Sequence, residues 1–283
     1  VSLFFVTTRY RIVALPYLAV FGGVFLDGLL GAASRRRAGP IVGWLLLGAI
    51  SWAATVTTRS AVDTTKSLYA QSLHDGFRLA RAGEFERAKG AYLEAQRLEP
   101  DDYEGYLGLG IAYREVGELE SSLRQLEMAM ARNQVDAEVP YHLGVTLHKM
   151  RRYEGAERAL RQSLTLSPRR ALTHTYLGLV LAAEGRLDEA RASLELGREL
   201  GPGEAFTHNN LGVLLGMQGD AEGAFRAFER AVELDPTYGA ARRNLAQACL
   251  ERGDLTRARH ELERALEIDP ADEIARGLLQ TIR

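Results

Sequence analysis

Residues 171 to 204 read ALTHTYLGLVLAAEGRLDEARASLELGRELGPGE, and the pattern of this stretch returns every 34 residues along most of the chain. Pro202 lies near its end, and Pro168, Pro236 and Pro270 lie at multiples of the same period from it. A fixed period of this length is typical of a solenoid, in which each unit buries its apolar face only against a stacked neighbour. The sequence therefore predicts a repeat protein.

Six units follow one another from Tyr69 without an inserted or deleted residue. Their bounds are 69–102, 103–136, 137–170, 171–204, 205–238 and 239–272. The eighth, twentieth and twenty-seventh positions hold only glycine, alanine or serine in every unit, whereas the twenty-fourth is always leucine, tyrosine or phenylalanine. We expect the small residues to let helices approach closely and the large ones to fill the space between them.

Each unit has the apolar spacing of two helices. In the fourth unit, Leu177 and Leu181 mark one face of a first helix, and Leu187 and Leu194 mark one face of a second. A glycine separates the two helices in five of the six units, as expected where a helix ends in a left-handed residue. Arg151 takes that place in the third unit, so we predict either local strain or a slightly different turn there.

These columns, with leucine-rich positions 7 and 11 and proline at position 32, resemble the tetratricopeptide repeat (TPR). The resemblance covers residues 69–272. It implies an all-α, right-handed superhelix of helical hairpins whose first helices line a concave groove for an extended peptide or a partner helix. Residues 273–283 carry one apolar stripe and are predicted to form a helix that caps the last unit.

The groove residues follow from the same resemblance, which places positions 5 and 6 of each unit on the inner face. Asparagine recurs at position 6 of the last two units, and such a ladder would bind the backbone of an extended peptide. The alternative is that these polar groups are simply solvated. The predicted peptide-binding or partner-binding residues are Tyr141, His142, Thr175, Tyr176, Asn209, Asn210, Arg243 and Asn244.

No catalytic motif stands out in the sequence, so we predict a protein that is not an enzyme and that has no cofactor and no metal. His174 and His208 share position 4 of their units and are interpreted as packing or groove-lining residues. The lone Cys249 is interpreted as a small core residue. Charges of both signs are interspersed, which favours a protein or peptide partner over nucleic acid, and no small-molecule substrate is evident.

Composition changes before Tyr69, where the chain holds seven Lys or Arg and two Asp or Glu. Two apolar stretches there, 12–33 and 41–58, approach the length of about 20 residues that crosses a bilayer. The sequence therefore predicts two transmembrane helices in a lipid bilayer. A membrane-flanking segment (1–11), a basic loop (34–40) and a linker (59–68) complete this part of the chain.

The orientation of these spans can be argued from their flanking charges. The loop with Arg35, Arg36 and Arg37 belongs in the cytoplasm by the positive-inside rule, which places the repeats outside it. Arginine and lysine residues beyond the two spans argue for the reverse orientation. Alternatively, the apolar run after the three arginines imitates a signal peptide, which also sends the repeats out. We predict a bacterial inner-membrane location with extracytoplasmic repeats.

A weaker resemblance concerns residues 1–33, where Arg9-Tyr10-Arg11 precedes Pro16 and an apolar helix. This part is similar to the last membrane segments of bacterial GT-C-type glycosyltransferases, which are related to protein mannosyltransferases. The first hypothesis for function is a membrane-anchored TPR scaffold that binds a peptide or partner protein in its groove. The alternative is the C-terminal part of such a glycosyltransferase, with its catalytic residues upstream.

Overall fold

The computed structural model describes residues 38–282, and every regular element within that range is a helix. The predicted all-α class is confirmed. The helices are α1 (Ala38–Arg81), α2 (Phe85–Leu98), α3 (Glu104–Glu115), α4 (Leu119–Arg132), α5 (Glu138–Lys149), α6 (Tyr153–Leu166), α7 (Ala171–Ala183), α8 (Leu187–Leu200), α9 (Ala205–Met217), α10 (Ala221–Leu234), α11 (Gly239–Glu251), α12 (Leu255–Ile268) and α13 (Glu273–Thr281).

The chain divides into two compact units, residues 1–68 and 69–283. In the second, helices pair as successive hairpins: α3 with α4, α5 with α6, α7 with α8, α9 with α10, and α11 with α12. Each second helix also packs on the first helix of the next hairpin, so the hairpins stack in chain order. This arrangement confirms the predicted TPR-like solenoid. Finally α13 lies against α12, and its Ala275 is fully buried there with Leu262.

The small columns lie where the hairpins close, as their composition predicts. Ala190 and Leu194 of α8 are both 0% exposed. A methyl group added to Gly178 of α7 would lie 2.7 Å from Cγ of Leu194 and 3.0 Å from the carbonyl oxygen of Ala190. The same glycine-to-large-residue contact recurs between Gly144 and Leu160. The glycine column is therefore small because the large column of the same unit fills that space.

The turn between the two helices of a unit needs a left-handed residue. The five separating glycines have φ between 77° and 85°, and Arg151 has φ 59°. A side chain in this conformation costs about 1–2 kcal/mol, so the strain predicted at Arg151 has a physical basis. Arg151 borders an open cleft with the apolar residues Leu147 and Tyr153 and with charges of both signs.

A second periodic contact joins the units and involves position 4. The side chain at position 4 donates a hydrogen bond to the backbone carbonyl of the proline near the end of the preceding unit. For example, Nε2 of His208 donates to the carbonyl of Pro202 at 3.1 Å. In the third unit both partners are replaced, by Pro140 and Gln134. The other donors at this position are Tyr106, His174, Arg242 and Arg276. The two histidines therefore have a structural role, which the sequence analysis left between packing and groove lining.

Within residues 38–282, we find no helix with the combination of length and apolar composition needed to cross a membrane. The second predicted span, residues 41–58, falls within α1 and is not supported by this finding. The first predicted span, residues 12–33, lies outside the described residues, as does the segment with the glycosyltransferase resemblance.

Candidate functional site

The first helices of neighbouring hairpins lie on the inner side of the stack. α3 contacts α5, α5 contacts α7, α7 contacts α9, and α9 contacts α11, in addition to the contacts that each makes with second helices. Because the first helices of consecutive units contact each other directly, they lie on the inside of the curved stack that the hairpins form. We call the surface that α5, α7, α9 and α11 present there the inner face.

At the α5 end of the inner face, His142 lies between two charged side chains. Its Nδ1 atom is 3.1 Å from Nη1 of Arg114, and its Nε2 atom is 3.5 Å from a carboxylate oxygen of Glu138. Arg170 binds the same carboxylate through both terminal nitrogens, with Nη2 at 2.7 Å. A guanidinium group can only donate, so Nδ1 of His142 accepts and the imidazole proton resides on Nε2, facing Glu138.

These contacts shift the pKa values of both groups in the direction that keeps the network intact. The hydrogen bond from His142, followed by those from Arg170, lowers the pKa of Glu138 to about 2. Burial lowers the pKa of His142, and the nearby Arg114 acts in the same direction. At neutral pH, Glu138 is therefore ionised and His142 is neutral. The charges of the network are paired and offer little free charge to a ligand, although Nε of Arg170 is buried without a hydrogen-bond partner in the described part of the chain.

Aromatic side chains continue from this network across the next two units. The ring of Tyr141 lies under the Arg170 guanidinium at 4.2 Å and meets the ring of Tyr176 edge-on, with centroids 5.8 Å apart. The Tyr176 ring in turn lies 5.3 Å from Phe206. Tyr238, just before α11, makes no ring contact with these three residues; burial raises its pKa, and Tyr176 adds to the shift. We call Tyr141, Tyr176, Phe206 and Tyr238 the aromatic row.

Three of the eight predicted site residues are placed in the interior rather than on the surface: Tyr141 of the aromatic row, which is 7% exposed, and two residues that bind across units. Thr175 is 0% exposed, and its hydroxyl lies 2.8 Å from the hydroxyl of Thr207. Asn209 is 4% exposed, and its Oδ1 accepts a hydrogen bond from Nδ2 of Asn244 at 2.9 Å. These contacts link successive units and leave neither residue available as a ligand-binding group.

The remaining five are half-buried, and all of them except Tyr176 form hydrogen bonds or ion pairs within the chain. Asn210 donates through Nδ2 to the carbonyl of Phe206 on its own helix, at 2.7 Å. Arg243 pairs with Asp272, whose side chain also caps α13. Asn210 and Asn244 thus each use one N–H within the chain, and their Oδ1 atoms have no partner among the described residues. The role of the eight residues in binding stays a prediction.

The helices α7 and α9 contain no Asp, Glu, Lys or Arg at all, a property that the sequence analysis missed. Their outward residues repeat at intervals of four, three and four, and so share one face of each helix. We call these residues the uncharged strip. Val213 is 41% and Met217 is 58% exposed. The strip comprises Leu172, Tyr176, Leu179 and Ala183 on α7, and Phe206, Asn210, Val213 and Met217 on α9.

A candidate metal site is absent from the part of the chain that the structure describes. No group of three or more His, Cys, Asp or Glu residues there could hold a metal ion. Cys249 is buried in the core beside Leu245 and Leu215, as the sequence analysis proposed, and burial raises the pKa of its thiol. Gly108 and Gly110 are small because Tyr92 and Leu126 pack against them.

Comparison with solved structures supports the fold. A chain of the APC/C hetero-tetramer Cut9-Hcn1 matches 86% of this chain with a TM-score of 0.71 and 17% identity, and the match spans 48% of its length. Pseudomonas aeruginosa PilF matches 77% of this chain, over 99% of its own, with a TM-score of 0.63 and 17% identity. A thermophilic TPR protein from Thermus thermophilus matches 64% of this chain and 98% of its own, with a TM-score of 0.57 and 24% identity.

At these identities the likeness concerns the fold alone. The chain spans about half the length of the Cut9-Hcn1 chain that it matches, so the activity of that larger protein does not transfer to it. No curated protein matches the sequence. One family model covers residues 73–277, which is more than two thirds of the chain and includes nearly all of the six units. The chain therefore belongs to the family of the cilia and flagella-associated protein 70 C-terminal domain, a TPR family.

Proposed function

We propose that this protein is an interaction scaffold that holds a segment of a partner protein on its inner face, at the uncharged strip. The observation that carries the proposal is the exposed apolar surface of two consecutive first helices without a single charged residue. Exposed apolar patches with a polar rim mark interaction sites. The second helices α8 and α10, in contrast, carry charges along their outer sides.

The neighbourhood of the strip favours this assignment. On one side, Glu138 pairs with Arg170 and Arg114 binds His142, and on the other Arg243 is paired with Asp272. Charged groups thus frame the strip without entering it. A partner that buries apolar side chains in the strip would meet no unpaired charge at its centre, so its binding carries little desolvation cost.

A charge placed in the strip should abolish partner binding. We expect Val213→Glu to lose the proteins that co-purify with the full chain from its own cells, because a carboxylate would be buried without a counter-charge. The matched control is Leu196→Glu on α8, an aliphatic residue of similar exposure, 39% against 41%, on a second helix. Co-purification, compared quantitatively between the two variants, is the measurement.

Loss of partners with Val213→Glu but not with Leu196→Glu would support the strip. Equal retention in both variants would contradict it, and equal loss in both would indicate a site elsewhere on the surface. Thermal unfolding of each variant shows whether the solenoid remains folded. Both positions are exposed, so we expect the two melting curves to remain near that of the unmodified chain.

We also propose that the chain is anchored in a membrane through residues 12–33, whose apolar length is that of a bilayer span. The extracytoplasmic placement of the repeats depended on a second span at residues 41–58. With one span, the three arginines that follow it lie on the same side as the repeats, so the positive-inside rule favours repeats in the cytoplasm. A reporter that is active only outside the cytoplasm, fused after Arg283, should be inactive although stably expressed. An active fusion would reverse the orientation, and recovery of the full chain in the soluble fraction would contradict the anchor.

A further inference from the structure

The chemical class of the partner segment can be argued from the hydrogen-bonding groups of the aromatic row. The hydroxyls of Tyr141, Tyr176 and Tyr238 make no hydrogen bond within residues 38–282. They are also absent from the buried polar atoms that lack a partner, so they keep access to solvent. Three unoccupied hydroxyls therefore lie along a row of aromatic rings that spans the first helices of three units.

These hydroxyls act as donors at neutral pH. Burial raises the pKa of Tyr141 to about 12 and also raises the pKa of Tyr176 and Tyr238. Each phenol therefore keeps its proton. A ligand that lies across the row would find aromatic faces for its side chains and O–H donors for its backbone carbonyls.

Other polar groups of the inner face are partly used. The amides of Asn210 and Asn244 donate to Phe206 and Asn209, which leaves their Oδ1 atoms as acceptors, and the interior position of Thr175 removes its hydroxyl from reach. An ordinary extended peptide brings one N–H group per residue, and these two amide oxygens are few acceptors for a segment that crosses three units. A helix satisfies its own backbone and would leave the three hydroxyls unused. Proline has no N–H, and a polyproline II chain has no internal hydrogen bonds, so its carbonyls need external donors.

Charge complementarity points the same way. The strip holds no ionisable carboxylate, lysine or arginine, so a charged segment would lose its hydration there without gaining a counter-charge. An uncharged ligand does not carry this cost of lost hydration. Aromatic grooves also suit proline rings, and a polyproline II segment is already ordered before it binds.

We propose that the partner segment is an uncharged, proline-rich stretch in polyproline II conformation that lies across the aromatic row. The proposal rests on the function proposed above, since it names the ligand of the same face. Tyr176 and Tyr238 donate hydrogen bonds to backbone carbonyls of the segment, and Phe206 packs against its proline rings.

The test uses the full chain in detergent and a capped, fluorescently labelled peptide of ten prolines, with a capped glycine-serine peptide of equal length as the reference probe. Fluorescence polarisation should show saturable binding of the proline peptide only. Tyr176→Phe and Tyr238→Phe remove one hydroxyl each and keep the ring, so each should weaken binding about fivefold. Tyr113→Phe on α3, a half-buried tyrosine beneath Lys89 and outside the row, is the matched control and should leave binding unchanged.

Absence of saturable binding by the proline peptide would overturn the proposal, as would binding that both Tyr→Phe variants leave unchanged. Tighter binding of a capped amphipathic leucine-glutamine helix than of the proline peptide would assign the face to a helical partner instead. These outcomes are independent of the co-purification test. If Val213→Glu loses its partners while polyproline fails to bind, the ligand class is wrong and the scaffold function stands.

Discussion

Replacing Glu261 with alanine should lower the free energy of unfolding by about 3–5 kcal/mol, because it leaves the positive charge of Arg242 buried without a counter-charge. The two side chains are each 9% exposed, and Nη1 of Arg242 lies 2.5 Å from Oε2 of Glu261. The pair joins α11 to α12 within the last hairpin. Urea unfolding of the full chain, followed by circular dichroism, measures the loss.

The position of the pair near the end of the stack makes the effect local as well as global. Units of a solenoid contact only their neighbours, so the last hairpin can open before the rest. We expect amide hydrogens of α11, α12 and α13 to exchange faster in Glu261→Ala, with little change in α7 and α8. Hydrogen exchange by mass spectrometry resolves these segments.

Two controls separate burial of the charge from loss of the side chain. Glu233→Ala removes one member of an exposed pair on α10, where Arg230 and Glu233 are 51% and 57% exposed, and should cost less than about 1 kcal/mol. The double variant Arg242→Met with Glu261→Leu removes both buried charges and should be more stable than Glu261→Ala alone. A single variant as stable as the Glu233 control would show that the Arg242 charge is accommodated by solvent.

The fold could be predicted from the sequence because one period constrains many positions at once. Small residues recur opposite large ones, and the structure confirms that Gly178 faces Leu194 and that Ala190 is fully buried. The left-handed turn was equally predictable, since five glycines mark it and Arg151 adopts the same geometry. Both features follow from residue type alone. Small residues mark the places where helix backbones lie close together, and glycine marks the left-handed turn.

The candidate site was less predictable because its contacts cross from one unit to the next. Asn244 binds Asn209, and Thr175 binds Thr207, over separations that the repeat period does not encode. In the third, fourth and fifth units, positions 5 and 6 both hold polar or aromatic residues, yet the residue at position 5 is buried and the one at position 6 is half-buried. The absence of charge in α7 and α9 was visible in the sequence, but only the exposed fractions of Val213 and Met217 give it meaning.

Replacing Gly178 with leucine should destabilise the chain by about 3 kcal/mol, since overpacking a filled core forces side chains and backbone apart. The obstacle is already present for the first added carbon, which would lie 2.7 Å from Leu194 and 3.0 Å from a backbone oxygen that cannot rotate away. We expect a lower midpoint in urea, and faster hydrogen exchange in α7 and α8, which meet at this contact.

Gly90 in α2 provides the matched control, because a side chain added there meets nothing within 4 Å. Leucine is a better helix former than glycine by up to about 1 kcal/mol, so Gly90→Leu should leave the chain as stable or make it more stable. The same chemical change thus has opposite expected signs at two helical glycines. If both variants melted together with the unmodified chain, the packing of small against large columns would not be what holds the hairpins closed.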